Sequence, residues 1–346
     1  MRKKLSAQLR KVQHISNLYK IEEQELLGEW LTENSFAESA FFCNSGAEAN
    51  ESAIKLIRKY GNLKREGRES IILASKSSFH GRTFAALSAT GQPKYHKGFE
   101  PMMDGFEFFK YNDFSSIESL FNKCINTNKF ISGIIIEPIQ GEGGVIPGEK
   151  EFFKKLRKIC NLNDSLLIFD EVQSGVGRTG KMWGYENLGI EPDGFTLAKG
   201  LGGGHAIGAL LVNAKANIFV PGDHASTFGG NPFACVAALT VLEEITRRDL
   251  LSNVFLRGRE LEEGLNKITN QFPHIIAGVR GIGLLQGLVL KNNAINSKMI
   301  TLKAFEKGLL VVPAGETVVR IVPPLIISRN EIKQILKKLI SIFQEL

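Results

Sequence analysis

Short runs that are apolar at every position recur along much of the chain, separated by longer stretches in which apolar residues return every three or four positions. The runs at 40–42, 70–74, 133–136, 166–169, 195–198 and 207–212 are continuous rather than alternating, as in parallel strands covered on both faces. Strands of this kind alternating with helical stretches predict an α/β fold on a mostly parallel central sheet with helices on both faces. At the start, Leu5, Leu9 and Val12 fall on one face of a predicted amphipathic helix, followed at once by Glu22, Glu23 and Glu25. After Asn231-Pro232 the pattern changes. Helices are predicted over 233–247, 253–271 and 329–346, with apolar segments around 279–289 and 318–322 between them. The expected division is a large domain, 1–250, and a smaller C-terminal α+β domain, 251–346.

Composition narrows the picture by exclusion. The chain has 346 residues, of which 43% are hydrophobic and 23% charged, ordinary values for a soluble globular protein. No apolar run approaches the ~18 to 20 residues that cross a bilayer, so no membrane partner is expected. The formal charge is +7, but the 43 basic residues are dispersed rather than gathered in a stripe, which argues against nucleic acid. Cys43, Cys124, Cys160 and Cys235 are far apart with no Cys-x-x-Cys pair, so neither a metal site nor a disulfide framework is expected, and a reducing cytoplasm fits.

Two of the apolar runs end in charge. The run 166–169 stops at Asp170, and the run 195–198 stops at Lys199, followed by Gly200-Leu-Gly-Gly-Gly204. Ligands of open parallel sheets bind at the carboxyl ends of strands, so a carboxylate and an amine are expected in one crevice. Pyridoxal phosphate needs that equipment: an amine for a Schiff base, and an acid that keeps the pyridine nitrogen protonated so that the ring draws electrons. Charged strand ends are common in α/β proteins, however, and the neighbouring motifs must carry the case. Ser45 and Glu48 form a capping box at the start of a helix, where Gly46 and Ala47 would let a phosphate approach exposed N–H groups; a well-capped helix is the plainer reading. In Ser78-Phe-His-Gly-Arg-Thr83, Phe79 is placed to stack on a planar ring and Arg82 to bind a carboxylate, or else they are core and surface. Glu137 ends the run 133–136 and is placed to pair with Arg320, a pair that a substrate carboxylate would open and an amine would leave intact; a structural ion pair is the alternative. In Asp170-Glu-Val-Gln173, Gln173 is placed to bond the ring oxygen, with Glu171 and Val172 counted among the cofactor-binding positions. Ser226 offers a hydroxyl ahead of Asn231-Pro232. Gly175-Val-Gly-Arg-Thr-Gly180 matches a dinucleotide fingerprint, but no clear amphipathic helix follows it.

Taken in order, these segments resemble the class III aminotransferases of the fold-type I pyridoxal-phosphate family. The likeness is carried by Phe42-Cys-Asn-Ser-Gly-Ala-Glu-Ala-Asn50, Phe79-His-Gly-Arg-Thr83, Ala89-Thr-Gly-Gln-Pro-Lys-Tyr95, Glu137-Pro-Ile-Gln-Gly-Glu142, Asp170-Glu-Val-Gln173, Lys199-Gly-Leu-Gly-Gly203, Thr227-Phe-Gly-Gly-Asn-Pro232 and Arg320 ahead of Pro323-Pro324. The resemblance implies pyridoxal 5'-phosphate as cofactor, with Lys199 as the Schiff-base lysine, Asp170 on the pyridine nitrogen, Phe79 on the ring, and Gly46 and Ala47 on the phosphate. It implies a homodimer in which Thr227 reaches the phosphate held by the other subunit, and substrate contacts at Arg82 and Ser226. The activity implied is ping-pong transamination between a small-molecule amine and a 2-oxo acid, with N-acetylornithine and 2-oxoglutarate expected first and ornithine, succinylornithine or 4-aminobutyrate as alternative donors. Two departures stand out. His205-Ala206 replaces the family's usual aromatic or aliphatic residue and proline. The counterpart of 13–19 in family members follows a substantial N-terminal segment that helps build the substrate site, so an inactive cofactor-binding remnant is also an expectation.

Overall fold

The computed structural model describes residues 1–64, 66–291 and 295–346. Among them the strands are, in chain order, β1 (Ser39–Cys43), β2 (Glu69–Ser75), β3 (Phe106–Phe109), β4 (Lys129–Ile136), β5 (Ile139–Gln140), β6 (Ile146–Pro147), β7 (Leu166–Asp170), β8 (Gly194–Leu197), β9 (Gly208–Val212), β10 (Ile276–Ile282), β11 (Leu285–Leu290), β12 (Val312–Pro313) and β13 (Val318–Ile321). The α-helices are α1 (Arg2–Gln8), α2 (Glu22–Glu33), α3 (Gly46–Lys64), α4 (Phe84–Ser88), α5 (Phe114–Asn126), α6 (Lys150–Leu162), α7 (Pro232–Arg247), α8 (Leu250–Gln271), α9 (Ser297–Glu306) and α10 (Arg329–Phe343). The chain divides into two compact units. The first comprises Met1–Pro138, Gly148–Val176 and Tyr185–Glu244; the second comprises Ile139–Pro147, Gly177–Gly184 and Ile245–Leu346. Where the apolar pattern suggested one division near residue 250, the second unit also takes two short segments from the middle of the chain.

The first unit is built on a sheet of order β1-β9-β8-β7-β4-β2-β3. The strands β8, β7, β4, β2 and β3 run parallel, and β9 is antiparallel to both β8 and β1. The alternation of Cβ directions along a strand explains why β7 is apolar throughout. Ile168 joins Ile54, Ile57 and Tyr60 of α3 in one buried cluster, while the next residue, Phe169, meets Phe153 of α6 edge-on at 5.3 Å between ring centroids. Each face of the strand therefore has its own helix to bury.

Helix α3 lies close to the sheet because Gly61 has no side chain. A Cβ there would fall 1.9 Å from Ser132 Oγ and 2.5 Å from Ser132 Cβ. The space is used by the Ser70 and Ser132 hydroxyls, bonded to each other at 2.6 Å.

The second unit carries an antiparallel sheet of order β10-β11-β13-β12. One buried cluster joins Leu261, Leu265 and Ile268 of α8, Leu288 of β11, Val319 of β13, and Ile332 and Leu339 of α10. A full capping box starts α10: the Ser328 N–H donates to Glu331 Oε2 at 2.7 Å, and the Glu331 N–H to Ser328 Oγ at 3.3 Å.

The N-terminal helix is shorter than the spacing of Leu5, Leu9 and Val12 predicts. It ends at Gln8, whose side-chain amide donates to the Val12 carbonyl at 2.9 Å; Leu5 is buried, but Leu9 and Val12 lie beyond the helix and are exposed. No helix among the described residues is long and apolar enough to cross a membrane. Replacing Gly61 by valine is expected to destabilise the fold by about 2 kcal/mol through overpacking against Ser132, read as a lower urea midpoint with an unchanged denaturant slope.

Candidate active site

Asp170 is the last residue of β7 and pairs in parallel register with Thr196 of β8. Lys199 opens the 3-10 turn Lys199–Gly202 just beyond the end of β8. The two charged residues thus sit at the carboxyl ends of adjacent parallel strands, where open α/β sheets collect ligands. Lys199 is exposed and has φ +39, a sign uncommon for a residue with a Cβ. The turn is closed by the Leu201 N–H donating to the Ala198 carbonyl at 2.8 Å and the Gly203 N–H to the Gly200 carbonyl at 3.2 Å.

Asp170 is only 5% exposed, so its oxygens need partners inside the protein. Asn50 Nδ2 of α3 donates to Oδ2 at 2.7 Å, and the Val172 N–H donates to Oδ1 at 3.0 Å. His80 Nδ1 lies 2.8 Å from the same Oδ2. Against a carboxylate oxygen this nitrogen is the donor. The other ring nitrogen, Nε2, is buried without a hydrogen-bond partner among the described residues, which favours the tautomer with its proton on Nδ1. Asn50 and His80 belong to the quoted motifs, but apolar patterning gave them no role. Their only sequence signal is a polar residue on the buried face of a helix and one beside a strand end.

The N-terminus of α3 begins at Gly46. Its capping differs in one detail from the predicted box: the Glu48 N–H donates to Ser45 Oγ at 3.2 Å, but the Glu48 carboxylate accepts from the Asn44 N–H, at 2.6 Å. Among the described residues no hydrogen bond runs from the N–H of Gly46 or Ala47, leaving two donors at the positive end of the helix. Gly46 lets the Asp170-Glu-Val-Gln173 segment come close, since a Cβ there would sit 2.7 Å from Val172 Cγ1.

The other predicted residues are placed as follows. Phe79 is half-buried and meets Tyr95 edge-on at 5.7 Å, and the exposed Arg82 lays its guanidinium over the Tyr95 ring at 4.3 Å. Glu171 is buried and accepts from the Tyr185 N–H at 2.7 Å; Val172 and Gln173 are half-buried. Ser226 Oγ accepts from Asn44 Nδ2 and from the Gly229 N–H, both at 3.1 Å, while Thr227 is exposed. Ser226 and Thr227 line a cavity of about 840 Å³ with Asn17, Gln24, Phe41 and His224. Arg320 Nη1 donates to Glu142 Oε1 at 2.7 Å. Beyond the end of β4 at Ile136 the chain turns through the β5–β6 pair, which carries Glu142 on its connection, in the same unit as β13. Glu137 is itself buried, and the Tyr111 hydroxyl donates to its backbone carbonyl at 2.7 Å. The four cysteines are free and buried, and burial pushes the Cys43, Cys160 and Cys235 thiols up to about 12, which removes them as nucleophiles near neutral pH. After Gly180 comes the 3-10 turn Gly184–Asn187 rather than the helix a dinucleotide fingerprint requires.

The chain has counterparts along nearly its whole length among known proteins. The chain belongs to the class-III aminotransferases, whose family model matches residues 1–343. The acetylornithine aminotransferase of Prochlorococcus marinus subsp. pastoris is 72% identical over 346 residues, covering 100% of this chain and 83% of that protein. That of Synechocystis sp. is 52% identical over 332 residues, covering 95% of this chain and 77% of that protein. Among solved structures, ornithine aminotransferase from Toxoplasma gondii superposes with a TM-score of 0.93 at 28% identity, over 99% of this chain and 82% of that one. N-acetylornithine aminotransferase from Stenotrophomonas maltophilia gives 0.84 at 33% identity, over 99% and 85%. The fold is that of the fold-type I pyridoxal-phosphate enzymes, and the cofactor of the class is pyridoxal 5'-phosphate. The donors present fit it: a buried carboxylate with lone pairs still to offer, two N–H groups at a helix start, and an exposed lysine between them in chemistry. Replacing Gly46 by alanine is expected to raise the dissociation constant for pyridoxal phosphate about tenfold by pushing Val172 and the helix start apart. Equilibrium dialysis measures it, and an unchanged constant would separate this close approach from phosphate binding.

Proposed function

We propose that the chain transfers the amino group of N-acetylornithine to 2-oxoglutarate, giving N-acetylglutamate 5-semialdehyde and glutamate, a step of arginine biosynthesis. The observation that carries the choice of donor is the 72% identity, along the full chain, to a protein named for that substrate. When bound, pyridoxal phosphate supplies a carbonyl carbon that takes up the amine and a ring that spreads the electrons left when the substrate C–H bond breaks. The remaining work falls to this chain's residues. The Lys199 amine holds the cofactor, then takes the proton from the amine-bearing carbon of the donor and returns it on the cofactor side. The Asp170 carboxylate keeps the ring nitrogen protonated, Gln173 bonds the ring oxygen, with Glu171 and Val172 beside it, and Phe79 covers the ring face. The N–H groups of Gly46 and Ala47 hold the phosphate at the positive helix end. The second half of the ping-pong cycle runs the same proton transfers in reverse with 2-oxoglutarate.

Arg82 and Ser226 are the proposed substrate contacts, with Arg320 as the group that takes a carboxylate. In this reading the guanidinium is paired with Glu137, the substrate-binding glutamate the sequence suggests, and with Glu142 while an amine donor reacts, and the carboxylate of the 2-oxo acid competes for it afterwards. A homodimer with shared sites, in which Thr227 serves the partner's phosphate, is supported by the surface near it. Leu18, Tyr19 and Phe228 are exposed, and Asn17 donates to the Ser226 carbonyl at 2.9 Å, tying that loop to the N-terminal segment. A cytoplasmic setting agrees with four free, buried cysteines.

The purified protein with cofactor should be yellow, and N-acetylornithine should bleach the visible band. A colourless, amine-insensitive protein would favour the cofactor-binding remnant, and a Lys199→Ala variant that kept the normal band would remove the lysine assignment. Relative kcat/KM should rank N-acetylornithine above ornithine, succinylornithine and 4-aminobutyrate. Removing the Arg320 guanidinium (Arg320→Ala) should raise the KM for 2-oxoglutarate by about 30-fold, equivalent to ~2 kcal/mol for a charge-assisted contact, and change the KM for the donor amine far less. Equal effects on the two substrates would argue against a role confined to the carboxylate.

A further inference from the structure

The carboxylate proposed for the ring nitrogen is held by a side chain that is itself held. Asn50 on α3 is 1% exposed and Thr196 on β8 is fully buried. Both hydrogens of Asn50 Nδ2 are used, one on Asp170 Oδ2 at 2.7 Å and one on the His80 carbonyl at 2.7 Å. Its Oδ1 accepts from the Thr196 hydroxyl at 2.8 Å. The imidazole of His80 returns to the same Asp170 Oδ2, so the ring of contacts closes on one carboxylate oxygen. We infer that Asn50, oriented by the Thr196 hydroxyl, is a positioning residue that fixes the Asp170 carboxylate for the cofactor's ring nitrogen.

Only certain partners are allowed at each end of the Asn50 amide. An amide has two ends of nearly equal shape, and only hydrogen bonding tells them apart. Turned over, Asn50 would set its carbonyl oxygen against Asp170 Oδ2 and against the His80 carbonyl, acceptor facing acceptor in a buried site. Those two acceptors therefore fix the direction of the amide, and Thr196 completes it by satisfying the oxygen that points the other way. Without the Thr196 hydroxyl, Oδ1 would be buried and unsatisfied, and the amide would have reason to move. Asp170 and Thr196 are direct partners in the β7–β8 register, so their side chains rise from the same face of the sheet, under α3. Asn50 also falls in an otherwise apolar helix face beside Ala49 and Ala53, where packing alone gives no reason for an amide.

The inference rests on the assignment of Asp170 proposed above, and the experiment separates the two. The dissociation constant of pyridoxal phosphate and the visible band of the bound cofactor are measured for the wild type, Asn50→Ala, Thr196→Val, the double variant, Asp170→Ala, and Ile57→Val as a core change elsewhere on α3. Asn50→Ala should weaken binding about tenfold and Thr196→Val about threefold, in the range of one buried hydrogen bond to a charged group and one to a neutral group. The double variant should be no worse than Asn50→Ala, because the hydroxyl acts only through the amide. The visible band should shift in the direction seen with Asp170→Ala, and Ile57→Val should leave both readings unchanged. If Asn50→Ala does not fold, Thr196→Val carries the test. Unchanged binding in Thr196→Val, additive losses in the double variant, or an equal loss in Ile57→Val overturns the inference. Should Asp170→Ala itself leave affinity and band unaltered, the underlying assignment falls and this inference with it; if Asp170→Ala weakens binding and the other two do not, only this inference fails.

Discussion

A carboxylate 5% exposed at the end of a buried strand is the constraint around which the first unit is arranged. Moving such a group out of water without donors costs several kcal/mol, so its presence obliges the fold to bring N–H groups to it. The donors come from the start of α3, the segment after β2, and the chain just past β7, while β8 supplies the hydroxyl that steadies one of them. Elements far apart in sequence are thereby tied to one pair of oxygens. The apolar packing of α3 on β2, β4, β7 and β9 would allow some sliding; the polar contacts specify one position.

That position has a consequence at the other end of the same helix turn. Once Asn50 is anchored over β7, the first residue of α3, one turn earlier, is brought against Val172, and only a residue without a side chain fits there. The N–H groups of Gly46 and Ala47 are then held near the strand that ends in Asp170. The buried acid and the helix start with its two open N–H groups are thus products of one packing arrangement, which explains why small residues and a capping serine lie immediately ahead of a buried asparagine.

Much of this was legible in the sequence because it depends on strong, local signals. Continuous apolar runs gave six of the sheet's strands, and the charges that end two of them gave Asp170 and Lys199. The edge strand β3, Phe106-Glu-Phe-Phe109, is short and interrupted by a charge, so it leaves no continuous apolar run. Leu9 and Val12 have helical spacing but nothing to pack on, and spacing without burial did not make a helix. Glu142 drew no role from the pattern because the two-residue strands β5 and β6 on either side of it are too short to leave one. Asn50 and Thr196 were silent because a period counts polar residues as interruptions, and only three-dimensional neighbours show that these two interruptions meet.

On the proposed reading, the Arg320–Glu142 pair holds a charge ready for exchange. Its guanidinium is 9% exposed and its carboxylate 26%, so the arginine has lost most of its water while the acid keeps part of it. Leaving such a cation alone would be costly, but replacing one carboxylate by another keeps it satisfied, and the displaced glutamate has solvent to return to. The connection bearing Glu142 is not slack: Arg280 Nε donates to the Gly144 carbonyl at 2.6 Å, and the buried Val145 packs over Gly287, which pairs with Arg280 on one side and Arg320 on the other. Arg280 and Arg320 therefore lie in one row across the sheet, the first gripping the backbone of the turn and the second its side chain. On the proposed reading this division of labour is what an enzyme alternating between an amine and a dicarboxylate requires, since the backbone must stay in place while one carboxylate makes way for another.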